Sequence, residues 1–154
     1  MTAIRPATAR DVPALLELMR GLAAYEKLPP PGAAAAARLR AALRGSEPRL
    51  CALLAWDGAI PVGYALYLFT FSSFLVRPTL YLEDLFVVPE VRGRGFGRRL
   101  FETCRRTARR RGCARMEWVV LDWNKPAHRF YRKAGARRLA DWVTYRLTLR
   151  RDAF

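Results

Sequence analysis

The chain has one histidine, three cysteines, few serines and three lysines. Each scarcity removes a class of function. His128 cannot organise a metal site without many carboxylates around it, and a lone histidine among few serines leaves no Ser–His nucleophile arrangement to build. Covalent catalysis and a resident metal are therefore not expected. Cys51, Cys104 and Cys113 are odd in number and lack C-x-x-C spacing, which argues against both a disulfide framework and a zinc site, so they read as core thiols. No membrane span is expected: the longest uncharged run, Gly58 to Val76, falls just short of the roughly 20 residues needed to cross a bilayer as a helix, and it carries Pro61 and reads as strand. The opening Met1-Thr2-Ala3-Ile4-Arg5-Pro6 has no charged region followed by an apolar stretch, so no secretory signal is expected and the location implied is the cytoplasm.

What is present fits one folded unit. The 154 residues, 52% apolar and 12% aromatic, are enough for one sizeable core and short for two, so a single domain over 1–154 is expected. The net charge of +15 invites a polyanion partner. However, Lys27, Lys125 and Lys133 are the only lysines, and alanine is abundant beside the arginines, as a coding bias would produce. The arginines are also spread along the chain, with one dense face at Arg105, Arg106, Arg109, Arg110 and Arg111. Nucleic-acid binding remains a minority reading.

The periodicities give an alternating order of elements. Ile4 to Pro6 reads as a first strand, followed by a helix capped by Thr8 or Asp11, with Val12, Leu15, Leu16, Met19, Leu22 and Ala23 at helical spacing and an end near Lys27. After the stiff Leu28-Pro29-Pro30-Pro31-Gly32 loop, Ala33 to Leu43 forms a second helix stopped by Gly45. Leu50 to Trp56 and Val62 to Phe71 are strands joined by the hairpin signal Asp57-Gly58, and Leu80 to Val88 is the next strand. Phe96, Leu100, Cys104 and Ala108 line a helix ended by Gly112. Met116 to Leu121 returns as a strand, Asn124 caps a helix with Pro126 in its first turn and Gly135 as its stop, and Trp142 to Leu149 is the last strand. That order implies an α/β protein, a mixed sheet with helices on both faces.

The chemistry concentrates in two places. Val91-Arg92-Gly93-Arg94-Gly95-Phe96-Gly97-Arg98-Arg99-Leu100 stands between a strand and a helix. Three glycines at alternate positions let backbone N–H groups converge on an anion at the helix N-terminus, and the interleaved arginines add charge. The spacing is neither G-x-x-x-x-G-K-[ST] nor G-x-G-x-x-G, which argues against both nucleotide classes. It is R-x-x-G-x-G, through Arg92, Gly95 and Gly97. On these six residues alone, an ordinary strand-to-helix turn reads equally well. The second place is Leu80-Tyr81-Leu82-Glu83-Asp84-Leu85-Phe86-Val87-Val88, where two acids interrupt an apolar strand. Strict alternation sends their side chains to opposite faces. A carboxylate in a sheet survives only if paired, hydrogen-bonded or exposed in a cleft. Asp84 is expected to pair with an arginine, and Glu83 to be functional.

The R-x-x-G-x-G loop resembles the coenzyme A pyrophosphate loop of the GNAT superfamily of N-acetyltransferases. The run from Tyr81 to Val87, the loop, Leu121-Asp122-Trp123-Asn124, Phe130-Tyr131 and Tyr25-Glu26 together resemble its diamine and thialysine N-acetyltransferase branch. The resemblance implies the GNAT fold, a mixed, mostly antiparallel sheet of about six or seven strands flanked by about four helices. It also implies direct transfer of the acetyl group of acetyl-CoA to a primary amine, with no metal.

An alkylammonium has a pKa near 10.4 and cannot attack a thioester until it loses a proton, so a base is required, and Glu83 is the candidate. A leaving thiolate is best protonated as it departs, and the resemblance gives that role to Tyr131, which on residue type alone reads as a core aromatic beside Phe130. The resemblance places the coenzyme against Leu85, Phe86, Val87, Arg92, Gly93, Arg94, Gly95, Phe96, Gly97 and Arg98. A second wall comes from Asn124, Lys125, Pro126 and Ala127. It places the acceptor against Tyr25, Glu26, Glu83 and Phe74. Ser72 stands where polyamine-acetylating members carry an acid, which favours an amino acid, thialysine-like compound or small diamine over a long polyamine. The resemblance further implies a homodimer, with no nucleic-acid or membrane partner. Protein or peptide amines, a nucleic-acid-binding module and a silent acyl-CoA sensor remain the alternatives.

Overall fold

A computed structural model of the protein describes residues 2–149. Strand β1 (Thr2–Pro6) leads through a single 3-10 turn (Ala9–Asp11) into helix α1 (Val12–Glu26), and α2 (Ala35–Ala42) follows. Strands β2 (Cys51–Asp57), β3 (Ile60–Ser72) and β4 (Arg77–Val87) run antiparallel in succession. Helix α3 (Phe96–Arg110) then crosses to β5 (Arg115–Glu117), which pairs parallel with β4, and α4 (Lys125–Lys133) comes last. The sheet order is β1-β2-β3-β4-β5. Residues Met1–Val119 form one compact unit and Val120–Phe154 a second, which contains α4.

The sheet is covered on both faces, as the alternating order requires. Val12, Leu15, Leu16 and Leu18 of α1 and Leu39 of α2 pack on Leu54, Tyr64, Leu66 and Phe86, which the strand register brings to one face. On α3, Phe96, Leu100, Phe101, Cys104 and Ala108 recur at the expected helical spacing and are all buried. The Asp57-Gly58 signal forms the turn it predicts: Asp57 pairs with Ile60 around a two-residue loop, and Gly58 takes φ +61. Gly63 is required by proximity, since a Cβ there would lie 2.7 Å from the Phe86 carbonyl oxygen.

Two expectations fail at the C-terminal side of the chain. Among the described residues, the strand expected from Met116 to Leu121 is only Arg115–Glu117, Trp142 to Leu149 forms no strand, and the sheet has five strands rather than six or seven. The alternation of Val143, Tyr145, Leu147 and Leu149 supplies an apolar face, but a strand also needs a neighbour to complete its hydrogen bonds, and local pattern does not provide one.

The start of α1 also differs from the expected simple cap. Asp11 accepts from the Thr8 amide (2.8 Å) and from both terminal nitrogens of Arg5 (2.6 and 2.9 Å). The Arg5 hydrogen bond, reinforced by Thr8 and opposed by burial, holds the Asp11 carboxyl well below the usual carboxylate range. A folded-state pKa below the unfolded value of about 3.9 contributes stability that is present above that pH and lost as pH falls. Asp11→Asn is therefore expected to lower stability at neutral pH by about 1 kcal/mol and to flatten the acid limb of stability, which thermal melts across pH 2 to 7 would read.

Candidate active site

The site begins with a break in β4. Leu66 pairs with Asp84 and Tyr67 with Leu82, so Glu83 has no partner across the ladder and forms a β-bulge. Before the bulge, Leu82 lies opposite Tyr67, whose hydroxyl interacts with Thr107 and Cys104 of α3. After it, Asp84 and Phe86 pair with Leu66 and Tyr64 on the α1 face. The extra residue thus overturns the strict alternation expected of this strand. Among the described residues no arginine pairs with Asp84, against expectation: the group that reaches it is the Tyr64 hydroxyl, which donates to Oδ2 at 3.0 Å.

Three carboxylates now act on one hydroxyl. Burial is the first cause that raises the Tyr64 phenol, followed by the charges of Asp84, Glu26 and Glu83. Burial likewise pushes the Asp84 carboxyl up to about 6; the Tyr64 hydrogen bond opposes it, while Glu83 and Glu26 raise it further. Glu26, in the last turn of α1, is raised by burial. Glu83 itself is exposed. The C-terminal end of α1 and the bulge of β4 therefore share one negative subsite, suited to a cation. Beside it, the Arg92 guanidinium lies 4.8 Å from the Tyr25 ring centroid and 5.8 Å from that of Phe86, and its Nε donates to the Val87 carbonyl at 2.9 Å. Arg92 thus ties the glycine loop to the end of α1.

The other edge of β4 is open over this stretch. β5 pairs only with Thr79 to Tyr81, so within the sheet Leu85, Phe86 and Val87 are bonded to β3 on one side alone. An unpaired edge offers backbone donors and acceptors to an extended ligand. At the end of β4 the loop opens into the N-terminus of α3. Gly93 and Gly95 take φ +81 and +86, and a Cβ on either would meet nothing within 4 Å. Glycine is demanded there by backbone conformation, with open space in front. Gly97 stands in the first turn of α3 and Phe96 is buried beneath it. The arginines divide: Arg94 pairs with Asp57 at 2.8 Å, whereas exposed Arg98 makes no ion pair among the described residues.

The second unit carries the remaining candidates, and its geometry is local. Asn124 Oδ1 accepts from the Ala127 amide at 3.2 Å, the expected N-cap of α4, with Pro126 in the first turn. Lys125 Nζ donates to the Asp122 carbonyl at 3.1 Å. The Tyr131 ring meets Phe130 edge to face, with centroids 5.1 Å apart.

The sequence comparisons decide the family. A model of the acetyltransferase (GNAT) family matches residues 15–136. The chain belongs to that family. The thialysine N-epsilon-acetyltransferase of Mus musculus is 34% identical to it over 156 residues, covering 94% of this chain and 91% of that protein. The enzyme of the same name from Sus scrofa is 36% identical over 154 residues, covering 93% and 90%. Among solved structures, one described as a probable acetyltransferase superposes with a TM-score of 0.83 at 21% identity, over 97% of this chain and 99% of that one, a likeness of fold.

As a GNAT acetyltransferase, the chain uses acetyl-CoA as its acetyl donor. A helix N-terminus fronted by open space and a strand edge that β5 leaves unpaired beyond Tyr81 are chemically suited to an extended anionic ligand. Among the described residues, no group of three or more His, Cys, Asp or Glu could hold a metal ion, and no helix is long and apolar enough to cross a membrane. Of the acceptor candidates, the structure brings Glu26 and Glu83 together, with Tyr25 adjacent. It does not bring Phe74 to them: Phe74 is 94% exposed in the β3–β4 turn, and the six residue steps from Arg77 to Glu83 span about 20 Å of strand. Sequence reading missed Tyr64, whose only local signal was a polar tip in an apolar strand.

The dense arginine face of α3 is largely engaged within the chain. Arg105 pairs with Glu102 at 2.6 Å, Arg106 and Arg110 donate to Thr103 and Thr107, and Arg111 lies over Phe69. For the loop, Gly95→Ala would force a Cβ onto a backbone at φ +86, a strain of about 1 kcal/mol or more. The expected result is a several-fold higher KM for acetyl-CoA with the amine KM little changed, which initial-rate kinetics would show.

Proposed function

We propose that the chain acetylates the primary amine of a small molecule that carries further positive charge, such as a diamino acid, a thialysine-like compound or a short diamine. The observation that carries this reading is the grouping of Glu26, Glu83 and Asp84 beside the open edge of β4. A carboxylate cluster attracts and orients an ammonium, which a neutral acceptor could not repay. The mouse and pig relatives, both thialysine N-epsilon-acetyltransferases, support the same acceptor class.

In this reading acetyl-CoA supplies the thioester. Glu83, exposed at the bulge, takes a proton from the acceptor ammonium directly or through one water, and the freed nitrogen lone pair forms the new C–N bond. Backbone N–H groups along Leu85 to Val87 offset negative charge developing on the carbonyl oxygen. As the C–S bond breaks, its electron pair leaves with sulfur, and Tyr131 donates the proton that makes the free thiol. Water carries the second proton lost by the acylated nitrogen to the Tyr131 phenolate, Glu83 releases the first to solvent, and the net change is one amide, one thiol and one released proton. Asn124, Lys125, Pro126 and Ala127 form the second coenzyme wall, and a homodimer in the cytoplasm completes the reading.

The test is acetyl-CoA-dependent release of thiol across lysine analogues, diamines, polyamines and peptides. Turnover confined to small diamino compounds is expected. Turnover on peptides alone would replace the acceptor, and coenzyme binding without turnover would leave an acyl-CoA sensor.

A further inference from the structure

We propose that Tyr64 is a positioning residue for the acceptor, its buried hydroxyl holding the Asp84 carboxylate as the fixed anion that the acceptor's ammonium meets. This rests on the amine acetyltransferase reading above and adds a specificity-determining pair to it.

The argument starts from what the position needs. The Tyr64 ring is fully buried and packs 6.2 Å from Phe86, and a phenylalanine would serve that packing. The hydroxyl is the added element, and a buried hydroxyl must find an acceptor. It finds Asp84 Oδ2, twenty positions along the chain, only because the Glu83 bulge turns Asp84 onto the α1 face.

The partner's chemistry then matters. A buried carboxylate is normally neutralised by an arginine or lysine. Among the described residues, none pairs with Asp84, and its Oδ1 accepts no hydrogen bond. A phenol fixes the carboxylate without consuming its charge. The other groups that act on Asp84 deepen the deficit of positive charge: Glu83 on its own strand and Glu26 from α1 are both acids. Arg92, which lies against the end of α1, is engaged with Tyr25, Phe86 and the Val87 carbonyl. The molecule therefore keeps a fixed, uncompensated carboxylate beside the bulge, and a cationic acceptor is the counter-charge it lacks.

Tyr64→Phe tests this, because it keeps the ring and removes only the donor. With the best small diamino acceptor, KM for the amine is expected to rise about tenfold, while kcat changes less than about twofold and KM for acetyl-CoA holds. The Tyr64 hydrogen bond lowers the Asp84 pKa, so its loss is expected to move the acid limb of kcat/KM for the amine to higher pH. Asp84→Asn should remove that shift, leaving the limb that the base Glu83 sets, and adding Tyr64→Phe to it should have no further effect. An unchanged amine KM and acid limb in Tyr64→Phe would overturn the proposal. So would equal losses in every constant with a lowered Tm that persist in the Asp84→Asn background, because Tyr64 would then act through packing alone. Absence of amine turnover by the unmodified protein would overturn the acetyltransferase reading and this pair with it, whereas turnover with an indifferent Tyr64→Phe overturns the pair alone.

Discussion

Glu83→Gln is expected to lower kcat by about 100-fold or more at pH 7 while leaving KM for acetyl-CoA within a few-fold. Glutamine keeps the size and the hydrogen-bonding reach of the bulge residue but cannot take a proton. The acceptor must then lose its proton to solvent, and with an ammonium pKa near 10.4 less than about one molecule in a thousand is free amine at pH 7. The defect should accordingly shrink as pH rises, because solvent hydroxide replaces the missing base and the variant's rate climbs about tenfold per pH unit toward the amine pKa. Initial rates from pH 6 to 10 with one diamino acceptor separate the possibilities. A deficit that closes with pH identifies Glu83 as the base. A deficit constant across pH would mean that Glu83 contributes charge rather than proton transfer, and no deficit would remove it from the mechanism.

The exposed position of Glu83 and the buried position of its neighbour follow from one bulge, and this marks where sequence reading stopped. Elements whose causes are local were legible: the helical spacing of Val12, Leu15 and Leu16, the Asp57-Gly58 turn, the Phe96-Leu100-Cys104-Ala108 stripe and the Asn124 cap all form as their neighbours in sequence dictate. The glycines of the loop were legible too, because positive φ at Gly93 and Gly95 is a backbone demand that residue type records. The bulge was not. It is a mismatch between two strands, decided when Leu66 takes Asp84 and Tyr67 takes Leu82, and nothing within β4 announces it. The Tyr64–Asp84 hydrogen bond and the stacking of Arg92 on Tyr25 were hidden for the same reason, since each joins residues that only tertiary pairing brings together. The shortened β5 is the converse case, in which a strand-like pattern in sequence outruns the three residues that pair with β4.

Tyr131→Phe is expected to lower kcat by about 100-fold below pH 9, with both KM values within a few-fold. The thiolate of a departing thiol is a modest leaving group, and protonating it as the C–S bond breaks prevents return of the acetyl group to sulfur. A tyrosine hydroxyl supplies that proton directly, so its removal is expected to fall on kcat. Phenylalanine keeps the ring that meets Phe130 edge to face, so an unchanged Tm alongside a collapsed kcat would assign the loss to the hydroxyl. Unchanged turnover at every pH would mean that water protonates the thiolate and that Tyr131 serves only to pack against Phe130. A fall in kcat accompanied by a solvent isotope effect that is present in the unmodified protein and lost in the variant would place the proton transfer itself at Tyr131, since only a step that moves that proton can carry both signatures.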